Sequence, residues 1–290
     1  MKHDTLMSFG CSHMYGWEHL STENNTKPSA DVYTNLLAKE YNLKHFNFSE
    51  GGASNQSILR QVIFGQQFEK DNNLNSIYWI QWSGYERLEI PWLDSSTHCK
   101  NWPYVNVDGE IKNDSNSFYL KKWANSLYKN LDNLALFILS CNSIIQVNSL
   151  LKSQNKKVIN TFANTWDTKC AQKNYYIKDK NLKNLDTMYT EILYNDFLKN
   201  KIENLDKSFA NENIFVGKSG TNYKNFDPYT KRLWSLVQSF EWFCWDDDKE
   251  LGFKPWGIKQ GFKTYPNRHL NEQAHKEAFV YICNSSILKE

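Results

Sequence analysis

The chain has 290 residues, 40% of them hydrophobic and 23% charged, enough apolar material to bury a full core, which excludes wholesale disorder. Its formal net charge of +2, with acids and bases interleaved, forms no basic stripe to follow a phosphate backbone, so no nucleic-acid partner is expected. The 11 Trp, 16 Tyr and 17 Phe supply aromatic bulk for packing and for lining clefts.

Met1-Lys2-His3-Asp4 leads directly into Thr5-Leu6-Met7-Ser8-Phe9, without the apolar h-region and small-residue cleavage site of a signal peptide; a cytoplasmic or virion-associated protein is expected. The longest apolar run, Leu134 to Ile145, is interrupted by Ser140, Cys141, Asn142 and Ser143 and is too short to span a bilayer, so no membrane partner is expected. Cys11, Cys99, Cys141, Cys170, Cys244 and Cys283 lie far apart without a CxxC pair, as free thiols do.

In chain order, Thr5 to Phe9 reads as a strand ending at Gly10, and Asp31 to Tyr41 carries Val32, Leu36, Leu37 and Tyr41 at helical spacing. Lys44 to Phe48 reads as a second strand closed by Gly51-Gly52. Ser54 then caps a helix with Ile58, Leu59, Val62, Ile63 and Phe68 expected on one face. Ser76 to Ser83 is β-branched and aromatic until Gly84, the pattern of a strand buried on both faces. Residues from Leu88 to Asn116 lack a sustained period and suit a long excursion with a hairpin around Asp108-Gly109. Phe118 to Leu151 predicts one broken helix or two, and Lys157 to Phe162 a fourth strand. Helical patches at Leu185 to Leu198 and Tyr229 to Trp242, and a strand at Ile214 to Val216, follow before a final helix over Asn271 to Ile282. Strands alternating with helices predict an α/β fold, a three-layer α/β/α sandwich around a central, mostly parallel sheet. The expected organisation is one domain over residues 1–290, with long insertions at about 88–116 and 166–263 that cover the carboxyl end of the sheet.

Ligands of such sheets bind outside the carboxyl ends of the strands. That singles out Gly10-Cys11-Ser12-His13, Glu50-Gly51-Gly52-Ala53-Ser54-Asn55 and Ser83-Gly84-Tyr85-Glu86-Arg87. A hydroxyl residue just after a strand and a glycine exposes a nucleophilic oxygen while backbone N–H groups face a developing oxyanion, and Ser12 fits that description.

Phe9-Gly10-Cys11-Ser12-His13-Met14-Tyr15-Gly16 resembles the first block of the SGNH (GDSL-like) hydrolases. The Asn47 to Asn55 stretch is similar to their second block, and Pro266-Asn267-Arg268-His269-Leu270-Asn271 to the last. The resemblance implies Ser12 as nucleophile, Gly52 as an oxyanion donor and His269 as general base. It also implies an SGNH-hydrolase/flavodoxin-like fold and a serine esterase that removes short acyl groups, acetyl first, from a carbohydrate or other small-molecule ester, with no cofactor and no metal. Cys11 replaces the first-block Asp, and Ser83-Gly84-Tyr85-Glu86 replaces the third-block Gly-x-Asn-Asp, leaving Tyr85, Ser83, Asn55 and Arg87 as alternative side-chain donors. Pro266 and Asn267 occupy the positions of the orienting acid, so Asn267 is expected to hold the imidazole. His13 is a pocket-lining candidate, and Arg87 an anchor for an anionic or polyol substrate. His275 is expected to pack, and Asp246-Asp247-Asp248 to form a solvated turn. The absence of HExxH, GxxxxGK[ST] and GxGxxG weighs against zinc, P-loop and dinucleotide enzymes. Two other functions are compatible with the missing acid or with the same Ser-His pair: a catalytically degenerate glycan-binding or structural module, and an acyltransferase. The oligomeric state is not legible.

Overall fold

The computed structural model describes residues 3–19, 27–85, 87–89, 104–105, 111–112, 133–164, 166, 228–248, 251–266, 269–285 and 287–288. They belong to two compact units, residues 1–166 with 236–290, and residues 167–235. In the second unit the described residues, 228–235, lie in a helix (α5, Pro228–Gln238).

The first unit is built on a parallel sheet. Strands β1 (Thr5–Phe9), β2 (Lys44–Asn47), β3 (Ser76–Trp82) and β7 (Lys157–Phe162) lie in the order β2-β1-β3-β7, with Thr5 opposite both Lys44 and Ser76. Beyond β7, Asn160 makes a parallel bridge to Trp242, so residues 241–243 extend the same edge. The four strands fall where their apolar runs place them. β1 and β3 are buried along their whole length, as expected for strands covered on both faces. A small antiparallel sheet joins β4 (Leu88–Glu89), β5 (Tyr104–Val105) and β6 (Ile111–Lys112), and its β5-β6 pair flanks Asp108-Gly109 as the turn signal predicts.

Helices cover both sides. On one face α2 (Tyr33–Glu40) packs against α7 (Glu272–Cys283), and with α6 (Phe253–Lys259) they bury Leu37, Phe253, Trp256, Ala274 and Ala278 against Leu6, Ile77, Trp79 and Ile159. On the other, α3 (Asn55–Asp71) packs against α4 (Asn133–Ser153). Ser54 caps α3 by accepting from Ser57 N at 3.2 Å, as its sequence position predicts, a contact worth about 1 kcal/mol. The buried face of α3 differs from the expected one: Ile63 and Phe64 are exposed, whereas Gln61, Gly65 and Glu69 turn inward. Each has a local reason. Gln61 bonds the backbone of Gly10, Gly65 lets the Phe9 ring come so close that a Cβ would sit 2.6 Å from it, and Glu69 accepts from Tyr78 Oη and pairs with Lys156.

Helix α4 extends well past the apolar run seen in sequence, and by length and composition Ala135–Ser153 is long and apolar enough to cross a membrane. Half of that stretch is buried in the fold, with Phe137, Cys141, Ile144, Val147 and Leu151 forming an i, i+3/i+4 stripe. The predicted elements at 185–198 and 214–216 lie outside the described residues.

The strand order fixes where a ligand can sit. From β1 the chain crosses through α2 to β2 on one side, then returns through α3 to β3 on the other, so the β1/β3 boundary is a topological switch point. The loops leaving β1 and β3 open there.

Candidate active site

Helix α1 (Ser12–Tyr15) is a single turn that begins immediately after Gly10-Cys11. Gln61 clamps Gly10 from both sides, accepting from its N–H at 3.0 Å and donating to its carbonyl at 3.2 Å. A side chain at residue 10 would bring a Cβ to 2.9 Å from Met14 Cβ and 3.0 Å from the Gln81 carbonyl, so glycine is required for the turn to close on β3. The backbone ahead of Ser12 is thereby fixed, and the serine is 5% exposed.

Two left-handed residues bring the chain back over its own start. Gly16 (φ 71°) ends α1, where a Cβ would meet Ser29 Cβ at 2.5 Å, and Glu18 (φ 72°) follows in a conformation that is uncommon for a side-chain-bearing residue. His19 then secures the loop. Its Nε2–H donates to the Leu270 carbonyl at 3.2 Å, and its Nδ1 accepts from Ser29 Oγ at 2.9 Å. Leu270 adjoins His269, which projects from a turn closed by the Thr264-Leu270 bridge and by Tyr265 N donating to the His269 carbonyl at 2.8 Å. Asn271, accepting from Ala274 N, caps α7 directly behind it.

The result is a three-residue relay. Ser12 Oγ lies 2.9 Å from His269 Nε2, and His269 Nδ1 lies 2.8 Å from Glu18 Oε2. An ionised carboxylate only accepts, so Nδ1 carries the proton and Nε2 is left to accept from the Ser12 hydroxyl. That is the tautomer a general base needs. Burial depresses the His269 pKa below its ordinary 6.5, Glu18 opposes that by hydrogen bond and charge, and Arg87 and Lys254 push it further down. The base is therefore neutral at neutral pH.

Sequence reasoning missed Glu18. It sought the acid just ahead of the histidine and assigned the imidazole contact to Asn267. Asn267 lies outside the described residues, and the imidazole nitrogen that faces away from Ser12, Nδ1, is bonded to Glu18. Glu18 stands six residues after Ser12, but nothing in that spacing signals a contact with His269, 251 residues on.

The neighbouring loops are tied to this relay. Glu50 N donates to the Gly10 carbonyl at 3.2 Å, and Asn47 Nδ2 to the Met14 carbonyl at 3.0 Å. Gly52 adopts φ 79°, and Trp17 packs so closely on Gly51 that a Cβ there would meet its ring at 2.8 Å. Among the side-chain candidates for an oxyanion donor, Asn55 is committed to structure: it accepts from Ser83 N at 2.8 Å and donates to the Ser83 carbonyl at 3.3 Å, locking the β2 loop to the β3 loop. Trp166 Nε1 donates to the same carbonyl at 2.9 Å. The Tyr85 ring is buried edge-on against Phe137 and Trp166, so it serves the core. Arg87 Nη1 donates to the Ala53 carbonyl at 3.3 Å, next to Gly52. His13 stands with its ring 5.0 Å from that of His269, and burial holds its pKa well below the ordinary value.

His275 is 1% exposed and accepts from Tyr33 N at 3.3 Å between the rings of Tyr33, Phe253 and His19, a packing role as expected. Asp246 and Asp247 lie in a left-handed turn where Lys259 pairs with Asp246. Among the described residues, no group of three or more His, Cys, Asp and Glu side chains is arranged to hold a metal ion.

No protein-family model matches the chain, and no curated protein is detectably similar in sequence. Solved structures that resemble it include a protein of Desulfitobacterium hafniense DCB-2 assigned to the lipolytic G-D-S-L family. The two chains are 10% identical with a TM-score of 0.30, over 81% of this chain and 99% of that one. An overlap this loose leaves the functional reading to the site geometry.

Proposed function

We propose that the protein is a serine ester hydrolase whose catalytic residues are Ser12, His269 and Glu18. The observation that carries this reading is the continuous relay from Ser12 Oγ through both imidazole nitrogens to the Glu18 carboxylate. Ser12 Oγ attacks the acyl carbonyl as its proton passes to His269 Nε2. The same proton then goes to the leaving alkoxide, freeing the alcohol and leaving an acyl ester on Ser12. Water attacks that ester, His269 takes its proton, and the acid departs as the proton returns to Ser12. Glu18 keeps the imidazole in its reactive tautomer and stabilises the imidazolium that forms at each step. The backbone N–H groups of Ser12 and Gly52 hold the oxyanion.

The acyl group in this reading is short, acetyl first, and the alcohol is a carbohydrate or related hydroxyl, as the resemblance to SGNH hydrolases implies. A degenerate, non-catalytic domain was suggested by the lack of the acid and of the third-block Asn, and Glu18 removes the first of these motives. Hydrolysis of p-nitrophenyl acetate and butyrate by the wild type, Ser12→Ala and His269→Ala tests the proposal. Activity that disappears in both variants supports it, and equal rates in all three proteins overturn it.

A further inference from the structure

The pairing of Glu18 with His269 has a second pairing beside it. Glu18 Oε2 accepts from His269 Nδ1 at 2.8 Å, and in the next residue of each segment His19 Nε2 donates to the Leu270 carbonyl at 3.2 Å. Both bonds join positions 251 apart, so Glu18-His19 is clamped to His269-Leu270 at two adjacent points. Both imidazole nitrogens of His19 are taken by protein groups, and the residue is 3% exposed. A carbonyl only accepts, so Nε2 carries the proton and Nδ1 accepts from the Ser29 hydroxyl at 2.9 Å. The same Ser29 oxygen accepts from Asp31 N at 3.1 Å, and Ser29 N donates to the Tyr15 carbonyl at 2.8 Å, which anchors the far side of the latch on α1. The His275 ring meets that of His19 edge-on at 4.8 Å. Leu270 is an equally firm partner: it is 1% exposed and packs on Gly257, where a Cβ would come within 2.5 Å of it. Glu18 needs such a restraint, because its φ of 72° is uncommon for a residue with a side chain and its carboxylate is open in part to competing water.

We propose that His19 is the positioning residue of the relay: by tying its own segment to Leu270 it sets the Glu18 carboxylate against His269 Nδ1, and so governs the basicity of His269 without touching substrate. The inference rests on the ester-hydrolase reading of Ser12, His269 and Glu18. Its consequence is specific. Besides burial, His269 is acted on by Glu18, Arg87 and Lys254, with the His13 ring 5.0 Å away. Of these groups Glu18 alone raises the His269 pKa, and Glu18 alone adjoins His19 in the chain. Loss of the latch therefore carries the signature of a lost carboxylate, which a general loosening of the fold does not.

Three variants test this. His19→Phe keeps a ring and removes both bonds, His19→Gln keeps a donor for the Leu270 carbonyl, and Ser29→Ala keeps the imidazole and removes the partner of Nδ1. The first readout is the His269 pKa, from NMR titration of histidine-labelled protein with the resonance assigned by His269→Gln. His19→Phe lowers that pKa as Glu18→Gln does, and adds no further shift in the Glu18→Gln background. His19→Gln restores most of it, and Ser29→Ala gives a smaller shift in the same direction as His19→Phe. The second readout is hydrolysis of p-nitrophenyl acetate. His19→Phe costs roughly a hundredfold in kcat, the effect of an about 1 Å misplacement, with KM little changed. In the Glu18→Gln background the same substitution costs less than about threefold, because the two residues act through one contact. An unchanged His269 pKa in folded His19→Phe, or equal losses in both backgrounds, overturns the proposal. If His19→Phe does not fold, Ser29→Ala decides by the same cycle: a His269 pKa lowered only where Glu18 is present supports the proposal, and no shift overturns it. The titration needs no turnover, so a wild type that fails to hydrolyse esters strikes the hydrolase reading while the latch is judged on the His269 pKa.

Discussion

Replacing Glu18 by Gln keeps the shape of the side chain and removes its charge. The carboxylate stands 2.8 Å from His269 Nδ1, and the two side chains are 16% and 14% exposed, so water screens the pair only in part. With charge centres ~4 Å apart and an effective dielectric of about 20, the lost attraction to the imidazolium is about 4 kcal/mol. At about 1.4 kcal/mol per decade this is a roughly thousandfold fall in kcat/KM, and a glutamine that turns its N–H₂ toward Nδ1 would add the cost of the wrong tautomer. Glu18 also raises the His269 pKa against desolvation, so the acid limb of the pH profile moves to lower pH in the variant. The assay is kcat/KM for p-nitrophenyl acetate from pH 4 to 8 beside a melting curve. A variant that melts with the wild type, retains activity within about threefold and keeps the same acid limb would refute the assignment of Glu18 as the acid of the relay.

Gly52→Ala forces a side chain into φ 79°, costing about 1–2 kcal/mol, so the melting temperature falls by a few degrees while esterase activity falls further because the oxyanion N–H is displaced. Gln61→Met removes both bonds to Gly10 with little change of volume and leaves the Gly10 N–H without its partner, while the Gly10 carbonyl keeps Glu50 N; a loss of roughly 1–3 kcal/mol in urea unfolding is expected, with weaker Ser12-dependent hydrolysis. Four imidazoles outside the relay, His13, His19, His45 and His275, have pKa values lowered chiefly by burial, that of His45 to about 4. The unfolded chain therefore binds protons more readily; stability is full above about pH 6.5 and declines as pH drops toward 4, which thermal melts across that range will show. A protein whose melting temperature is flat from pH 7 to 4.5 would contradict the neutral, buried assignment.

The sheet was legible because its strands are unbroken apolar or aromatic runs ended by glycine or polar turns, and Ser54 and Asn271 stand where helix caps belong. Ser12 and His269, which the structure brings within 2.9 Å of each other, were legible as strand-end and helix-entry residues. The inward face of α3 was not, because Gln61 and Glu69 are buried by specific bonds that a hydrophobic count treats as solvent-facing. Tyr85 looked like a site residue from its place after β3, yet the ring is claimed by Phe137 and Trp166, one of them fixed by a helix that the sequence could not orient. Glu18 was hidden for another reason. Its contact with His269 joins residues 251 apart and depends on two left-handed backbone turns and on His19 reaching Leu270, none of which has a local sequence pattern.

The most direct test of the central claim is covalent labelling of the intact protein by a fluorophosphonate, with the modified peptide mapped by mass spectrometry. The relay predicts a single adduct on Ser12 in the wild type, none in Ser12→Ala, and strongly slowed labelling in His269→Ala and Glu18→Gln. Labelling that avoids Ser12, or that proceeds at the same rate without His269, would contradict it.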